Sequence, residues 1–296
     1  MRSLFSGLEA LVKRRARVIG MNRRNVELVY PHNRRMDYPL ADDKLLTKEV
    51  LAAAGVPTPE VIAICEALHR VPATLAALRG RSHFVVKPAR GSGGDGILVV
   101  DEALEGGGWR RGPERIVDED ELRRHLGDIV FGAYAKDRED RAFVEEKVRA
   151  DPVLGRLFPG ALCDIRVLML EGRVLMVMVR VPTRRSGGRA NLHQGGVGLA
   201  VDLEDGELVR GLCGGKVITT HPDTGEPLLG TRIPAWEEIL EVARRTAAAV
   251  PLGYLGIDLV VDAERGPLVL EINARPGLEI QNVHGRGLAQ IVEAGP

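Results

Sequence analysis

A lysine followed by a glycine-rich loop is the part of the chain whose residue types most clearly suggest chemistry. Lys87 ends an apolar run, and the loop after it contains Gly91, Ser92, Gly93, Gly94 and Gly96. Residues 97–100 are again apolar and rich in β-branched side chains, so the pattern predicts a strand, a loop and a second strand. Such a loop can fold over the phosphates of a nucleotide and donate backbone N–H groups to them, while the lysine reaches the same phosphates.

The loop satisfies the G-x-G-x-x-G spacing of dinucleotide-binding folds, but its context does not fit them. That motif requires a helix after the loop, whose N-terminus receives the pyrophosphate, and here a strand follows. A Walker A loop is excluded because no G-K-[ST] closes it, and a protein kinase because the lysine precedes the loop and no H-R-D or D-F-G occurs. A glycine hairpin with a lysine can equally be structural, so other residues must decide.

Three oxygen-bearing side chains near the C-terminus form a candidate metal site. Asp258 lies in one apolar run, and Glu271 and Asn273 lie in the next. Side chains i and i+2 share a face of a strand, and a hairpin would place Asp258 beside them. Two carboxylates and an amide oxygen suit a Mg²⁺ ion that bridges phosphates, and Mn²⁺ would suit the same ligands. The alternative, a strand-edge charge and a turn residue, is weakened because Asp and Asn are depleted in strands.

Arginines in the middle of the chain could hold an anion. Asp164 and Arg166 share one face of a predicted strand, and Arg180 lies on the return strand. The polar, glycine-rich segment 184–196 follows, with candidate residues Arg189, Asn191 and His193. Arginine forks match carboxylate and phosphate, and a row of them would stabilise the charge of a departing acyl phosphate. Structural salt bridges are the alternative, and a loop histidine is more often a hydrogen-bonding residue than a base.

The predicted strand over residues 143–148 changes character along its length. Its first residues are apolar, and the charged residues that follow stand between valines. A strand that becomes a hinge can present backbone N–H and C=O groups to the edge of an adenine ring. An exposed edge strand would have the same sequence. The candidate hinge residues are Glu145, Glu146, Lys147 and Val148.

Hydrophobic periodicity predicts the elements that position these residues. Helices are predicted over residues 42–54, 66–79, 118–126 and 235–250. Further strands are predicted at 61–64 and 84–86. Hairpins are predicted for the strand pairs 164–170 with 174–181, 197–203 with 207–212, and 257–261 with 268–272. Hairpins interleaved with helices favour an α+β fold with antiparallel sheets over a doubly wound parallel sheet.

Composition narrows the class of protein. The 296 residues include 45% hydrophobic and 28% charged residues, with 41 Lys+Arg against 41 Asp+Glu and only 4% aromatics. A neutral chain with few aromatics argues against nucleic-acid binding. Three scattered cysteines exclude a disulfide scaffold or a cysteine zinc site and suit a reducing compartment. No apolar run reaches the ~18 residues of a membrane span, and no signal peptide is recognisable, so a cytoplasmic location is expected.

A basic segment near the N-terminus allows two interpretations. Its charged residues are Lys13, Arg14, Arg15, Arg17, Arg23 and Arg24, and apolar residues precede them at positions 4, 8, 11 and 12. A basic amphipathic helix could dock on an anionic membrane surface or on a partner. The favoured interpretation is a solvated helix that packs on the protein through its leucines.

The order of the motifs resembles that of ATP-grasp ligases. The motifs are Lys44, Lys87 with its loop, FVEEKV, DIR, RANLHQGG, GID and LEINARPG. The likeness extends to ribosomal-protein glutamate ligases and, more closely, to bacterial alpha-L-glutamate ligase-like proteins, which NRRN, DYPLADDKLLTK and RANLHQGG resemble in particular. It covers residues 22–280. The resemblance implies an ATP-grasp fold in which two antiparallel-sheet subdomains with flanking helices sandwich ATP.

The resemblance also implies roles for individual residues and a division of the chain. It implies that Lys44 and Lys87 contact ATP phosphates, that Glu145 to Val148 line adenine, that Asp258, Glu271 and Asn273 hold Mg²⁺, and that Arg166 and Arg189 face an acyl phosphate. The expected division is a reduced N-terminal segment at 1–41, a small subdomain at 42–140 and a C-terminal subdomain at 141–296. In such ligases a sizeable N-terminal domain usually helps to bind the acceptor, and the segment expected in its place here is reduced. The identity of the acceptor is therefore the feature that the resemblance transfers least well.

The function implied is a Mg- and ATP-dependent, ADP-forming carboxylate–amine ligase that works through an acyl phosphate. Its substrates would be a carboxylate and an amine on a small molecule, peptide or protein, with glutamate or another amino acid as one of them. Two alternatives remain open: an ATP-grasp small-molecule kinase, and a non-catalytic ATP-sensing module that docks through the basic helix. The sequence leaves the oligomeric state open.

Overall fold

The computed structural model describes residues 17–91, 93–112, 114–136 and 138–294. The basic segment upstream of Arg17 and the loop residue Ser92 lie outside this part of the chain. The chain divides into two compact units, each described separately below. The large unit contains residues 17–41, Val50–Pro57 and 150–294, and the small unit contains Asp42–Glu49 and Thr58–Arg149. The division differs from the expected one: residues 17–41 group with the C-terminal part, and the later boundary follows Arg149 rather than residue 140.

The described part of the chain contains ten α-helices. They are α1 (Met21–Arg24), α2 (Tyr30–His32), α3 (Pro39–Asp42), α4 (Lys44–Ala53), α5 (Val71–Leu78), α6 (Glu119–Val130), α7 (Pro152–Gly155), α8 (Trp236–Ala249), α9 (Glu279–His284) and α10 (Leu288–Glu293). A π-helical turn spans Asn25–Val29, and 3-10 turns span Arg35–Asp37, Leu68–Arg70 and Leu192–Gln194. The helix predicted from residue 42 begins at Lys44, because the Asp43 carboxylate accepts the Leu45 amide (3.1 Å) and caps it. None of the described helices has the length and apolar character needed to cross a membrane.

The small unit contains two antiparallel sheets. The strands of the first are β1 (Val61–Cys65), β2 (Phe84–Pro88), β3 (Leu98–Val100) and β7 (Ala142–Glu146), in the order β1-β7-β2-β3. The second sheet contains β4 (Glu102–Ala103), β5 (Trp109–Arg111) and β6 (Arg115–Val117). Strand β7 pairs with β1 and β2 on its two sides, so the edge-strand interpretation of residues 143–148 is wrong. Because β7 lies inside a sheet of the small unit, the boundary between the two units falls after Arg149 and not before this strand.

The large unit is built on one seven-stranded antiparallel sheet. Its strands are β8 (Asp164–Leu170), β9 (Arg173–Val181), β10 (Val197–Val201), β11 (Leu208–Cys213), β12 (Lys216–Ile218), β13 (Tyr254–Asp262) and β14 (Gly266–Asn273). The strand order is β12-β11-β10-β9-β8-β13-β14. The three predicted hairpins, β8–β9, β10–β11 and β13–β14, are confirmed. The predicted α+β fold with antiparallel sheets is therefore present in both units.

The two faces of the large sheet pack against different helices. One set of alternating residues, among them Val167 and Val179, joins the core with α8. The opposite set, among them Leu168 and Met178, joins a core with α9 and α10. Because strand side chains alternate, Arg166 shares the face of Leu168. The candidate charged residues therefore lie on the face that α9 and α10 cover elsewhere.

Candidate functional site

The glycine loop adopts the predicted strand–loop–strand arrangement between β2 and β3. Gly93, Gly94 and Gly96 have φ values of +67°, +81° and +74°, a region that other residues rarely adopt. A Cβ on Gly96 would lie 2.6 Å from Cδ2 of Tyr134, so the ring packs directly on the loop backbone. The Gly96 carbonyl lies 3.0 Å from Nε2 of His125. The loop conformation thus depends on glycine and on an aromatic support.

Lys44 lies beside this loop, as the sequence predicts. Its ammonium donates a hydrogen bond to the Gly91 carbonyl, and its backbone N–H donates to Ala89 (2.9 Å). The preceding Asp43 forms an ion pair with Arg141 (2.8 Å) and is almost fully buried. These contacts fix the first turn of α4 against the start of the loop.

Lys87 belongs to a buried ionic cluster. Glu145 is 2% exposed, and its two carboxylate oxygens contact the ammonium groups of Lys87 and Lys48, the latter at 2.9 Å. Burial raises the pKa of Glu145, but the charges of Lys87 and Lys48 outweigh it and hold that pKa below its ordinary value. The sequence analysis missed Lys48, although it lies one helical turn after Lys44 and therefore on the same face of α4.

The last residue of β7 and the residues that follow it contact other parts of the small unit. The backbone N–H of Glu146 donates to Glu60 (3.0 Å) and that of Lys147 donates to His83 (2.9 Å). The Lys147 ammonium pairs with the Asp101 carboxylate, and Val148 is buried. The backbone N–H groups of Glu146 and Lys147 are therefore already hydrogen-bonded within the small unit. That residues 145–148 line adenine stays a prediction.

The large unit gathers Asp258, Arg166 and Glu271 side by side on neighbouring strands. In the register of the sheet, Asp258 of β13 lies opposite Arg166 of β8 on one side and Glu271 of β14 on the other. The Arg166 guanidinium donates two hydrogen bonds to the Asp258 carboxylate, and its Nη2 lies 2.7 Å from Oδ2. The Asn273 amide lies 3.5 Å from the same oxygen. The predicted grouping of Asp258, Glu271 and Asn273 is thus present, and the contact of Arg166 with Asp258 is an additional finding.

Arg180 extends this group across the sheet. Its Nη2 donates to Oδ2 of Asp164 at 2.6 Å and to Oδ2 of Asp258 at 2.8 Å. Burial lowers the pKa of Arg180, but the two carboxylates outweigh it and hold that pKa above its ordinary value. The sequence analysis left two interpretations of Arg180 open, an anion-binding arginine and a structural salt bridge. The salt bridge to Asp164 exists, and the contact to Asp258 is an additional finding.

The pKa values of the two carboxylates in this cluster shift in opposite directions, although burial raises both. Burial raises the pKa of Asp258, but Arg166 and Arg180 flank it and hold that pKa well below its usual range. Burial raises the pKa of Asp164 to about 6, and the nearby charge of Asp258 adds to this while Arg180 opposes it. Asp258 is therefore the fixed negative charge at the centre of the cluster.

The donor set proposed for Mg²⁺ has suitable chemistry. Asp258, Glu271 and Asn273 offer two carboxylates and an amide oxygen on one sheet face, which fits a hard cation. The Asp258 oxygens accept hydrogen bonds from both arginines, so metal binding there would share or replace an arginine contact. The described residues contain no cluster of three or more His, Cys, Asp or Glu side chains arranged for a metal.

The loop between β9 and β10 carries the remaining predicted residues of the site. Arg189 and His193 are exposed, and the Asn191 side-chain oxygen accepts the His193 amide (3.0 Å) within the loop itself. The Thr183 hydroxyl donates to Gly195 (3.0 Å) and so closes the base of the loop. Arg166 thus lies among the candidate metal ligands, and Arg189, Asn191 and His193 lie on the loop between β9 and β10.

Comparison with known sequences decides the family. The profile of the sugar-transfer associated ATP-grasp family matches residues 23–294. The chain belongs to this family. The resemblance to ATP-grasp ligases seen in the sequence is thereby confirmed, and with it the ATP-grasp fold.

Curated relatives of this ATP-grasp chain are glutamate ligases. A probable alpha-L-glutamate ligase of Enterobacter sp. (strain 638) is 25% identical over 252 residues. The ribosomal protein bS6--L-glutamate ligase of Escherichia coli O7:K1 is 26% identical over 252 residues. Each alignment covers 84% of this chain and 61% of the relative, so the chain spans about three fifths of their length.

Solved structures support the ATP-grasp fold independently. The biotin carboxylase domain of the 2-oxoglutarate carboxylase of Hydrogenobacter thermophilus matches with a TM-score of 0.51 at 18% sequence identity. The match covers 87% of this chain and 46% of that one. At this level of identity the similarity concerns the fold.

Proposed function

We propose that this ATP-grasp chain is a Mg- and ATP-dependent carboxylate–amine ligase that releases ADP and phosphate. The observation that carries the proposal is the row of Glu271, Asp258 and Arg166 across three adjacent strands. It places two carboxylates for a phosphate-bound cation directly beside a guanidinium that can bind an anion. Arg180, Asp164 and Asn273 lie beside this row, so the charged and polar groups form one patch next to the apolar core that α9 and α10 cover.

In this proposal the small unit binds the nucleotide. Lys44, Lys87 and the backbone of the loop from Gly91 to Gly96 contact the phosphates, and Lys147 and Val148 lie near the adenine. The left-handed glycines leave loop N–H groups able to turn toward an anion. The large unit supplies Asp258, Glu271 and Asn273 for Mg²⁺, which when bound would neutralise phosphate charge.

The proposed reaction has two steps. An oxygen of the substrate carboxylate attacks the γ-phosphorus of ATP, forming an acyl C–O–P linkage as the bond to ADP breaks. The substrate amine then attacks the acyl carbon, and phosphate leaves as the C–N bond forms and the amine loses a proton. Arg166 stabilises the charge of the departing phosphate, and Arg189 would add to it if its loop reaches the same anion. No covalent nucleophile of the protein is required, so catalysis rests on positioning and charge.

For the substrates, we propose chemical classes and not individual compounds. The relatives named as glutamate ligases favour an amino acid, glutamate among them, as one partner. The other would be a carboxylate or amine on a small molecule, a peptide or a protein. His193 is exposed and could accept the amine proton, which makes it a secondary candidate.

The experiment measures the ADP and free phosphate that are released from Mg-ATP under three conditions. The first contains pooled amino acids alone, the second contains small peptides or cell extract alone as acceptor, and the third contains amino acids and acceptor together. We expect equal amounts of ADP and phosphate only when both substrates are present. Asp258→Asn should abolish this signal, whereas Arg79→Gln, which breaks an exposed ion pair with Glu119, should retain it. ADP without phosphate, together with a phosphorylated product, would identify a kinase and contradict the proposal.

A further inference from the structure

The buried cluster of Lys48, Glu145 and Lys87 in the small unit has an uneven charge count. Glu145 is 2% exposed and the side chains of Lys48 and Lys87 are 7% and 13% exposed. Two ammonium groups share one carboxylate, so the cluster carries a single net positive charge. Lys87 is the most accessible member, and it lies where β2 leads into the glycine loop.

The elements that surround the cluster determine which lysine faces a ligand. Glu145 lies on the central strand β7 opposite Val85 of β2, and Lys87 follows Val85 by two residues on the same face. Lys48 approaches from α4, and its ammonium also donates to the Pro59 carbonyl at 2.8 Å. Lys48 is therefore tied into the protein interior, whereas Lys87 lies on the strand that leads into the loop.

A single lysine paired with this carboxylate would leave no net positive charge for binding an anionic ligand. If Lys48 were absent, Glu145 would neutralise Lys87 and compete with any anionic ligand for it, since a buried carboxylate needs a cationic partner. With Lys48 present, one cation satisfies the carboxylate and the other can bind a phosphate. The lowered pKa of Glu145 agrees with a carboxylate that is ionised at neutral pH and must be neutralised by a neighbour.

We propose that Lys48 is a positioning residue that neutralises Glu145, so that Lys87 keeps its positive charge for the β- and γ-phosphates of ATP. The inference rests on the proposed nucleotide site in the small unit. It assigns Glu145 an indirect role through Lys87 instead of the contact with adenine that the sequence suggested. Lys44 and Lys48, one turn apart on α4, then act on the loop and on its lysine respectively.

The test is a nucleotide titration with ATP and with AMP in the presence of Mg²⁺. Lys48→Met should weaken ATP binding by roughly ten- to a hundredfold, the value of a charge-assisted hydrogen bond, and should leave AMP binding close to wild type. Lys48→Met combined with Glu145→Gln restores the net charge of the cluster and should recover most of the ATP affinity. Lys48→Arg keeps the charge and should bind ATP within about threefold of wild type. Arg79→Gln, which breaks an exposed ion pair of the same unit, is the matched control.

Several outcomes would overturn the inference. Equal losses of ATP and AMP affinity in Lys48→Met, a double variant that folds but does not recover, or a Lys48→Arg variant as weak as Lys48→Met would each indicate a purely structural lysine. If Lys87→Met loses ATP affinity and Lys48→Met does not, only the role of Lys48 fails. If the wild-type protein does not bind ATP, the proposed function fails first, and the two failures are thus distinguishable.

Discussion

The carboxylate of Asp258 accepts hydrogen bonds from two arginines, Arg166 and Arg180, in the interior of the large unit. Asp258 is 2% exposed and Arg166 is 8% exposed, so solvent can replace neither partner. Removing one partner of a buried ion pair leaves an uncompensated charge, which costs more than the pair itself contributes. Asp258 should therefore matter for folding as well as for metal binding.

For Asp258→Asn we expect the free energy of unfolding to fall by about 3 kcal/mol, because two guanidinium groups lose their shared carboxylate. Urea unfolding followed by circular dichroism measures this change. Glu119→Gln is the control, since its ion pairs with Arg79 and Arg123 are exposed, and it should unfold close to wild type. Equal stability of Asp258→Asn and wild type would contradict the buried network.

Glu145 should make the small unit sensitive to acid. Its pKa in the folded protein is held below the ordinary value of 4.5, so the unfolded chain takes up a proton first as the pH falls. The stabilising contribution is complete above about pH 4.5 and is lost as the pH falls through the folded pKa. Unfolding free energies measured between pH 3 and pH 7 should fall less steeply with acid in Glu145→Gln. An identical pH profile in both proteins would refute this role.

The glycine loop is the element whose shape is most tightly specified by its residues. Gly93 and Gly96 both have positive φ, but they differ in surroundings: a Cβ on Gly93 meets nothing within 4 Å, whereas one on Gly96 would lie 2.6 Å from the Tyr134 ring. The two positions therefore separate backbone strain from loss of the aromatic support.

Gly96→Ala should weaken ATP binding by tenfold or more, because the loop must move away from Tyr134, and should destabilise the protein by about 1–3 kcal/mol. Gly93→Ala carries backbone strain alone and should cost about 1 kcal/mol. Calorimetric ATP titrations and thermal unfolding of the two variants measure both effects. Equal behaviour of the two variants would show that the contact with Tyr134 does not shape the loop.

The success of sequence-based prediction depended on how local each contact was. Asp258 and Glu271 could be paired because one short turn connects their strands, and the three hairpins followed from similar turns. The link between Arg166 and Asp258 spans 92 residues and depends on the order of strands in the sheet, which periodicity does not encode. Lys48 was missed for the same reason, since its partner Glu145 lies far along the chain. The short strands β4, β5, β6 and β12 are too brief for an alternating pattern to appear.

At the scale of the whole molecule, the candidate residues are distributed over both units. The glycine loop and the lysine cluster belong to the small unit, and the carboxylate–arginine row belongs to the large unit. The chain has no net charge, with 41 basic and 41 acidic residues, so binding of anionic substrates must come from local groups such as Lys87 and Arg166. Our central claim is that these groups serve one reaction through an acyl phosphate.

Transfer of oxygen from the substrate carboxylate to phosphate tests that claim most directly. Amino acids and acceptor peptides labelled with ¹⁸O in their carboxylates are incubated with Mg-ATP and the wild-type protein, and the released phosphate is analysed by mass spectrometry. If the carboxylate is activated as an acyl phosphate, each phosphate released should carry one ¹⁸O atom, and Asp258→Asn should release none. Phosphate free of ¹⁸O, released together with ADP, would show that water and not a carboxylate attacks ATP, and would contradict the proposed ligase.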